Sequence, residues 1–218
     1  MLLPWAGDVA AVLLAWFPGQ EGGHALADVL LGRAEPGGRL PVTWPASEDG
    51  LPPAAPTDGA LDYTEGVFVG HRAYDRDGRR PHFPFGHGLG YTTWEYESVA
   101  APAAVPAGDD VPLTVRLRNA GRRSGREVVQ VYASRPGSAV ERPIRWLAGF
   151  AAVEARPGEA VAVDVRVPAR ALRHWDAAAG GWTTEPGPVR VEVGRSSRDL
   201  RLRADVDLTE GAPVAAAG

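Results

Sequence analysis

The sequence predicts a mixed fold, one α/β unit followed by a β-sandwich. Three observations predict it. A nearly continuous apolar run, Val9 to Trp16, precedes a Pro18-Gly19 turn and then apolar residues at helical spacing. After Trp94, short segments alternate apolar and polar residues and are separated by turn signals. The 218 residues include 27 Gly and 20 Pro, more than a helical bundle tolerates.

The N-terminal unit reads element by element. Val9 to Trp16 suits a strand covered on both faces. It is read as a buried strand rather than a leader or membrane span. The stretch Met1 to Phe17 lacks a basic flank and carries Asp8 in its middle, and its apolar run, Val9 to Phe17, is too short to cross a bilayer. Localisation stays open. Glu21 to Leu31 offers Ala25, Leu26, Val29 and Leu30 as one helical face, with Gly32 as its C-terminal cap. A single strand–turn–helix unit does not make an α/β domain, so residues 1–94 read as a remnant of one. The Pro/Asp/Gly-rich stretch from Ala46 to Asp62 reads as loop, and Tyr63 to Tyr74 as a short strand or extended segment.

The sandwich is assigned to residues 95–208. Its strands are read at Val111–Leu117, Glu127–Ala133, Trp146–Phe150, Ala160–Val167, Val189–Val193 and Leu200–Val206. Turns fall at Asn119-Ala120-Gly121, Arg156-Pro157-Gly158 and Glu185-Pro186-Gly187-Pro188. Residues 209–218 read as a flexible tail.

Composition narrows the function classes. Net charge is -4 with a pI near 5.7, which argues against nucleic acid as the main partner. Every one of the 23 basic residues is Arg, a composition bias rather than a functional signal. The absence of Cys removes disulfides, thiolate zinc sites and a cysteine nucleophile.

Several blocks resemble the C-terminal half of glycoside hydrolase family 3. They are Ala15-Trp16-Phe17-Pro18-Gly19-Gln20-Glu21-Gly22-Gly23, Ala27-Asp28-Val29-Leu30-Leu31-Gly32 and Pro36-Gly37-Gly38-Arg39-Leu40-Pro41-Val42-Thr43-Trp44-Pro45. Tyr63-Thr64-Glu65-Gly66, Val69 to Asp75 and Phe83 to Thr93 continue the pattern. The β region is similar to that family's fibronectin type III-like domain at Val115 to Asn119, Gly125 to Tyr132, Leu147 to Phe150 and Val193 to Ser197. The blocks stand in the family's order and most resemble β-glucosidases. The resemblance implies an immunoglobulin/fibronectin type III-like sandwich behind the end of an α/β sandwich domain. It also implies a full enzyme that hydrolyses terminal non-reducing β-D-glycosyl residues with retention, without metal or cofactor. The family's nucleophile Asp lies on a barrel, and its acid/base Glu lies upstream of the Pro18 block. Neither has a matching position here. The expected partners are therefore the N-terminal barrel and α/β portion of the same enzyme, with the carbohydrate substrate bound in the whole. Self-association is a further expectation; nucleic acid and membrane are not. The alternative is an independent carbohydrate- or protein-binding sandwich module.

No residue is assigned a catalytic, substrate-binding or metal role. Glu21 follows a strand, where α/β folds place ligands, but it equally charges the first turn of a helix. Gly19, Gly22 and Gly23 match no phosphate-binding fingerprint and read as close packing. His71, His82 and His87 lack metal-ligand spacing, and His87 reads as a hydrogen-bonding structural residue. Ser124, Ser196 and Ser197 read as turn residues. Trp16, Trp44, Trp175 and Trp182 are expected in the core or at a domain interface. Arg72, Tyr74 and Asp75 are candidates for supporting such an interface.

Overall fold

Alternation in β3 (Val111–Asn119) builds the sandwich. Val111, Leu113, Val115 and Leu117 are buried, while Pro112, Thr114 and Arg116 face solvent. In this computed structural model, which describes residues 2–49, 51–52 and 55–210, β3 pairs antiparallel with β1 (Trp94–Ala100) and β6 (Ala160–Val167). The second sheet holds β2 (Ala104–Pro106), β4 (Gly125–Ser134), β5 (Trp146–Ala155), β9 (Gly187–Ser196) and β10 (Asp199–Thr209). Its order is β2-β10-β9-β4-β5, antiparallel except for the short β2–β10 pair. β7 (His174–Asp176) and β8 (Gly181–Thr183) form a separate hairpin. The core lies between the sheets, where β3 meets Val129, Val131 and Ala133 of β4 and Val189, Val191 and Val193 of β9. The expected immunoglobulin/fibronectin type III-like sandwich is present.

One strand departs from the one-sided pattern. In β4, Gln130, Tyr132 and Ser134 are buried as well as Val129, Val131 and Ala133. Its outer face is covered by the chain preceding the sandwich. Gln130 Nε2 donates to the Gly86 carbonyl at 3.0 Å, and Tyr132 lies under the rings of His71 and Phe85. Gly86 sits at φ 82°, and a Cβ there would fall 2.0 Å from Gln130 Oε1, so glycine is required twice over.

The N-terminal helix is α1 (Gly22–Leu30), within one residue of expectation at each end. It closes as a Schellman motif: Arg33 N–H donates to Asp28 O at 2.8 Å and Gly32 N–H to Val29 O at 3.0 Å, with Gly32 at φ 71°. Val9 to Trp16 corrects expectation. No described residue pairs with it, Trp16 turns left-handed at φ 52°, and Val9, Val12, Leu13 and Phe17 are exposed. An extended apolar run becomes a strand only when a second backbone meets its N–H and C=O groups. α1 buries none of its residues, for the same want of a covering layer.

A second correction is α2 (His71–Arg76), where extended chain was expected. Six residues are too few for helical periodicity to show. Gly70, at φ 56°, starts the helix, and the Tyr74 ring is buried beneath the Arg79 guanidinium. The strands β1, β2, β7 and β8 also escaped the sequence reading; three of the four lie among the shortest or least regular segments. Of the tail, residues 211–218 lie outside the described residues.

Residues 32–93 are strapped to the sandwich, whereas the end of α1 is tied to that strap by the Tyr91 hydroxyl, which donates to the Val29 carbonyl. Limited proteolysis is expected to remove residues up to about Gly32 first and to leave 32–93 attached to residues 94–209. Mass spectrometry of the resistant core checks this. A core beginning near Glu95 would contradict it.

Candidate functional site

A group of buried and half-buried ion pairs lies where residues 32–93 meet the sandwich. Strand alternation places Glu127 on the inward face of β4 with Val129 and Val131, at the end of the core. A carboxylate in that position requires partners. Arg39 donates to its Oε1 at 2.5 Å and Arg195 to its Oε2 at 3.0 Å. The Val128 N–H adds a bond of 2.8 Å to Oε1. Arg39 comes from the Gly38-Arg39-Leu40 block and Arg195 from the end of β9, so this one carboxylate joins three segments. Burial first, and then the Glu127 charge, pushes the nearby Tyr96 phenol up, and Tyr96 donates to the Gly194 carbonyl at 3.3 Å.

Glu35 makes a second tie. It accepts the Tyr91 N–H at 2.7 Å and the Arg126 N–H at 2.6 Å. Tyr91 Oη donates to the Val29 carbonyl at 2.7 Å, and Arg123 donates to the Gly32 carbonyl. The third tie is Asp75 on α2. Arg198, in the turn between β9 and β10, reaches Asp75 at 2.9 Å, and Arg145 reaches it at 3.5 Å. Burial pushes the Asp75 carboxyl up despite both arginines. His71 stacks on Phe85 with ring centroids 4.7 Å apart. Burial, followed by the charges of Arg72, Arg145 and Arg198, lowers its imidazole from 6.5 to about 4.

The residues singled out from sequence are distributed as follows. Glu21 is exposed at the N-cap of α1, makes no capping bond, and binds His24 Nδ1 at 2.8 Å. Of the three glycines only Gly22 packs closely, against Pro18. His71, His82 and His87 are not brought together: His82 meets the Phe83 ring edge-on, and His87 stacks on the same ring at 5.2 Å. Stacking and backbone bonds, rather than a side-chain hydrogen bond, are what His87 shows. Among the described residues, no group of three His, Asp or Glu is arranged to hold a metal ion. Ser196 Oγ accepts from Arg198 N and Asp199 N in a tight turn. Trp44 is buried in a bridge to Phe83, whereas Trp16, Trp175 and Trp182 are exposed against expectation. Tyr74 and Asp75 lie at the junction, and Arg72 donates to the Val67 carbonyl at 3.5 Å. Sequence reasoning missed Glu127, Arg39 and Glu35. The one available signal was a charged residue at an inward position of an alternating strand.

Two outcomes are expected. Glu127→Ala leaves Arg39 and Arg195 desolvated without a counter-charge and should destabilise by about 3–5 kcal/mol, measured by urea denaturation. His71 has a folded value below its unfolded one, so between pH 6.5 and 4 the unfolded chain binds more protons. Stability should therefore be complete at pH 7 and fall across that window, and His71→Phe should flatten the fall.

Two family models match the chain: the glycosyl hydrolase family 3 C-terminal domain over residues 1–91 and the fibronectin type III-like domain over residues 127–197. Beta-glucosidase B of Emericella nidulans is 38% identical over 221 residues, covering 94% of this chain and 26% of that protein. A beta-glucosidase of Rhizobium radiobacter is 38% identical over 213 residues, with 94% of this chain and 26% of that one covered. Among solved structures, DesR, a beta-glucosidase from Streptomyces venezuelae in complex with D-glucose, superposes with a TM-score of 0.89 at 38% identity, over 95% of this chain and 27% of that one. The beta-glucosidase of Kluyveromyces marxianus in complex with glucose gives 0.87 at 34% identity, over 96% and 25%. The chain spans about a quarter of the length of these relatives. With both domain models in their family order and the same fold in the solved relatives, the chain belongs to glycoside hydrolase family 3, of which it carries C-terminal domain and fibronectin type III-like sequence.

Proposed function

We propose that this chain is a non-catalytic scaffold of a β-glucosidase-like enzyme that hydrolyses terminal non-reducing β-D-glycosyl residues with retention. Retaining hydrolysis needs two carboxyl groups about 5–5.5 Å apart across the scissile bond. In this reading, the barrel and the rest of the α/β domain supply both. Residues 1–94 act as the docking half, and residues 95–208 act as the rigid body that holds it.

The observation that carries the reading is the unpaired apolar surface of residues 9–31. Val9, Val12, Leu13, Trp16, Phe17, Leu26, Leu30 and Leu31 are all exposed beside a helix that buries nothing. Such a surface has the composition of a covered layer. Each Val or Leu buried on docking contributes roughly 1.5–3 kcal/mol, less the cost of association. The clamped carboxylates agree with a structural role, since Glu127 and Asp75 are each held by two arginines. Lacking a complement, the same surface drives self-association.

The test co-expresses the chain with a separate fragment carrying the barrel and the rest of the α/β domain. The expected result is co-purification of the two and hydrolysis of an aryl β-glucoside by the pair, with none above background for the chain alone. Turnover by the chain alone that disappears with Glu21→Gln would overturn the proposal.

A further inference from the structure

The β7–β8 hairpin carries two indoles that stay largely exposed. Trp175 and Trp182 are cross-strand partners, 55% and 67% exposed, with ring centroids 5.8 Å apart and planes at 79°. They form two walls of an open corner. Neither indole N–H donates to any described acceptor, whereas the buried Trp146 N–H is bound to Ala171 O at 2.7 Å. Two large side chains are thus left with an apolar face and a free donor each.

The hairpin is built to hold that corner still. On its opposite face, His174 Nδ1 meets the Arg142 guanidinium at 3.0 Å. Just past β8, Glu185 accepts from Ser138 Oγ at 2.7 Å and Ala139 N–H at 3.0 Å, and pairs with Arg135 at 3.1 Å. At the tip, Asp176 accepts the Ala178 and Ala179 N–H groups, so its carboxylate is occupied in the turn. The rest of the tip is Ala177, Ala178, Ala179 and Gly180, and residues 174–183 contain no Lys or Arg.

We propose that the Trp175–Trp182 corner is a binding site for neutral hexopyranosyl chains. The C–H face of a pyranose is apolar and stacks on an indole, while its rim hydroxyls accept the indole N–H. A neutral ligand matches a tip without a free charge. Other occupants fit less well. The corner is far smaller than the roughly 800 Å² per partner of a stable protein interface, and the two exposed arginines that precede it, Arg170 and Arg173, fall short of the cluster of about 4–8 basic residues that draws an interfacial anchor to anionic lipid. The choice of hexopyranose rests on the β-glucosidase-like reading; the corner itself does not. A fixed platform reduces the ordering cost of binding.

The experiment titrates cellohexaose into the full chain, read by tryptophan fluorescence and calorimetry. Saturable binding is expected. It should weaken by about tenfold or more, the equivalent of 1.4 kcal/mol, in Trp182→Ala and in Trp175→Ala, and recover largely in Trp182→Phe. Both positions are exposed, so the thermal midpoint should not move. Absence of saturable binding, or equal binding by the double alanine variant, overturns the proposal. So does Trp-dependent binding to phosphatidylcholine/phosphatidylserine vesicles, or Trp-dependent self-association, in the absence of cellohexaose binding. The double alanine variant should still activate the complementing fragment. Lost complementation with intact cellohexaose binding would count against the enzyme-scaffold reading alone.

Discussion

The buried carboxylate of Glu127 is the constraint around which the two parts of the chain are organised. A lone carboxylate at the end of an apolar core is too costly to keep. Its position therefore demands cationic partners, and the fold draws them from both sides of the domain boundary. Arg39 arrives from the loop after α1 and Arg195 from β9. Arg195 meets Glu127 within the sandwich, between the paired strands β4 and β9, whereas Arg39 reaches it only when the loop is seated on the sandwich. The ion cluster thereby acts as a check on register: the Gly38–Leu40 segment must sit at one spot for the charge to be met.

The other ties follow the same logic. Glu35 takes backbone N–H groups from Tyr91 and Arg126, and Asp75 takes Arg198 and Arg145. All three are acidic residues facing groups from a distant segment. Between them lie ring contacts, His71 stacked on Phe85 and both edge-on to Tyr132. Polar clamps fix orientation while stacked rings exclude water. The outcome is that β4 is covered on both faces, and the sheet gains a third layer over its central region.

The contrast with residues 2–31 is physical. Past the strapped region, α1 is capped at its C-terminus and its apolar residues are correctly spaced, yet none of its residues is buried among the described residues. Local chemistry suffices to stop and start a helix, whereas burial needs a second surface. Val9 to Trp16 makes the same point for a strand, whose identity depends on a neighbouring backbone.

By itself the sequence determined what short-range physics controls. Alternation set the strands of the sandwich core, Gly32 set the end of α1, and Gly/Pro turns set the breaks between strands. The family-like blocks in order also reached the family, because they record backbone requirements such as the one at Gly86. What only the tertiary structure decided is where long-range partners meet. Glu127 lies 88 residues from Arg39 and 68 from Arg195, and no periodicity links them. α2 was too short to show a period, and its place was set by Tyr74 and Asp75 docking on the sandwich. Trp175 and Trp182 read as core or domain-interface residues by type. Their exposure depends on which face of a three-residue strand is turned outward, and that choice is made by the contacts of His174 and Glu185 with a loop some forty residues earlier.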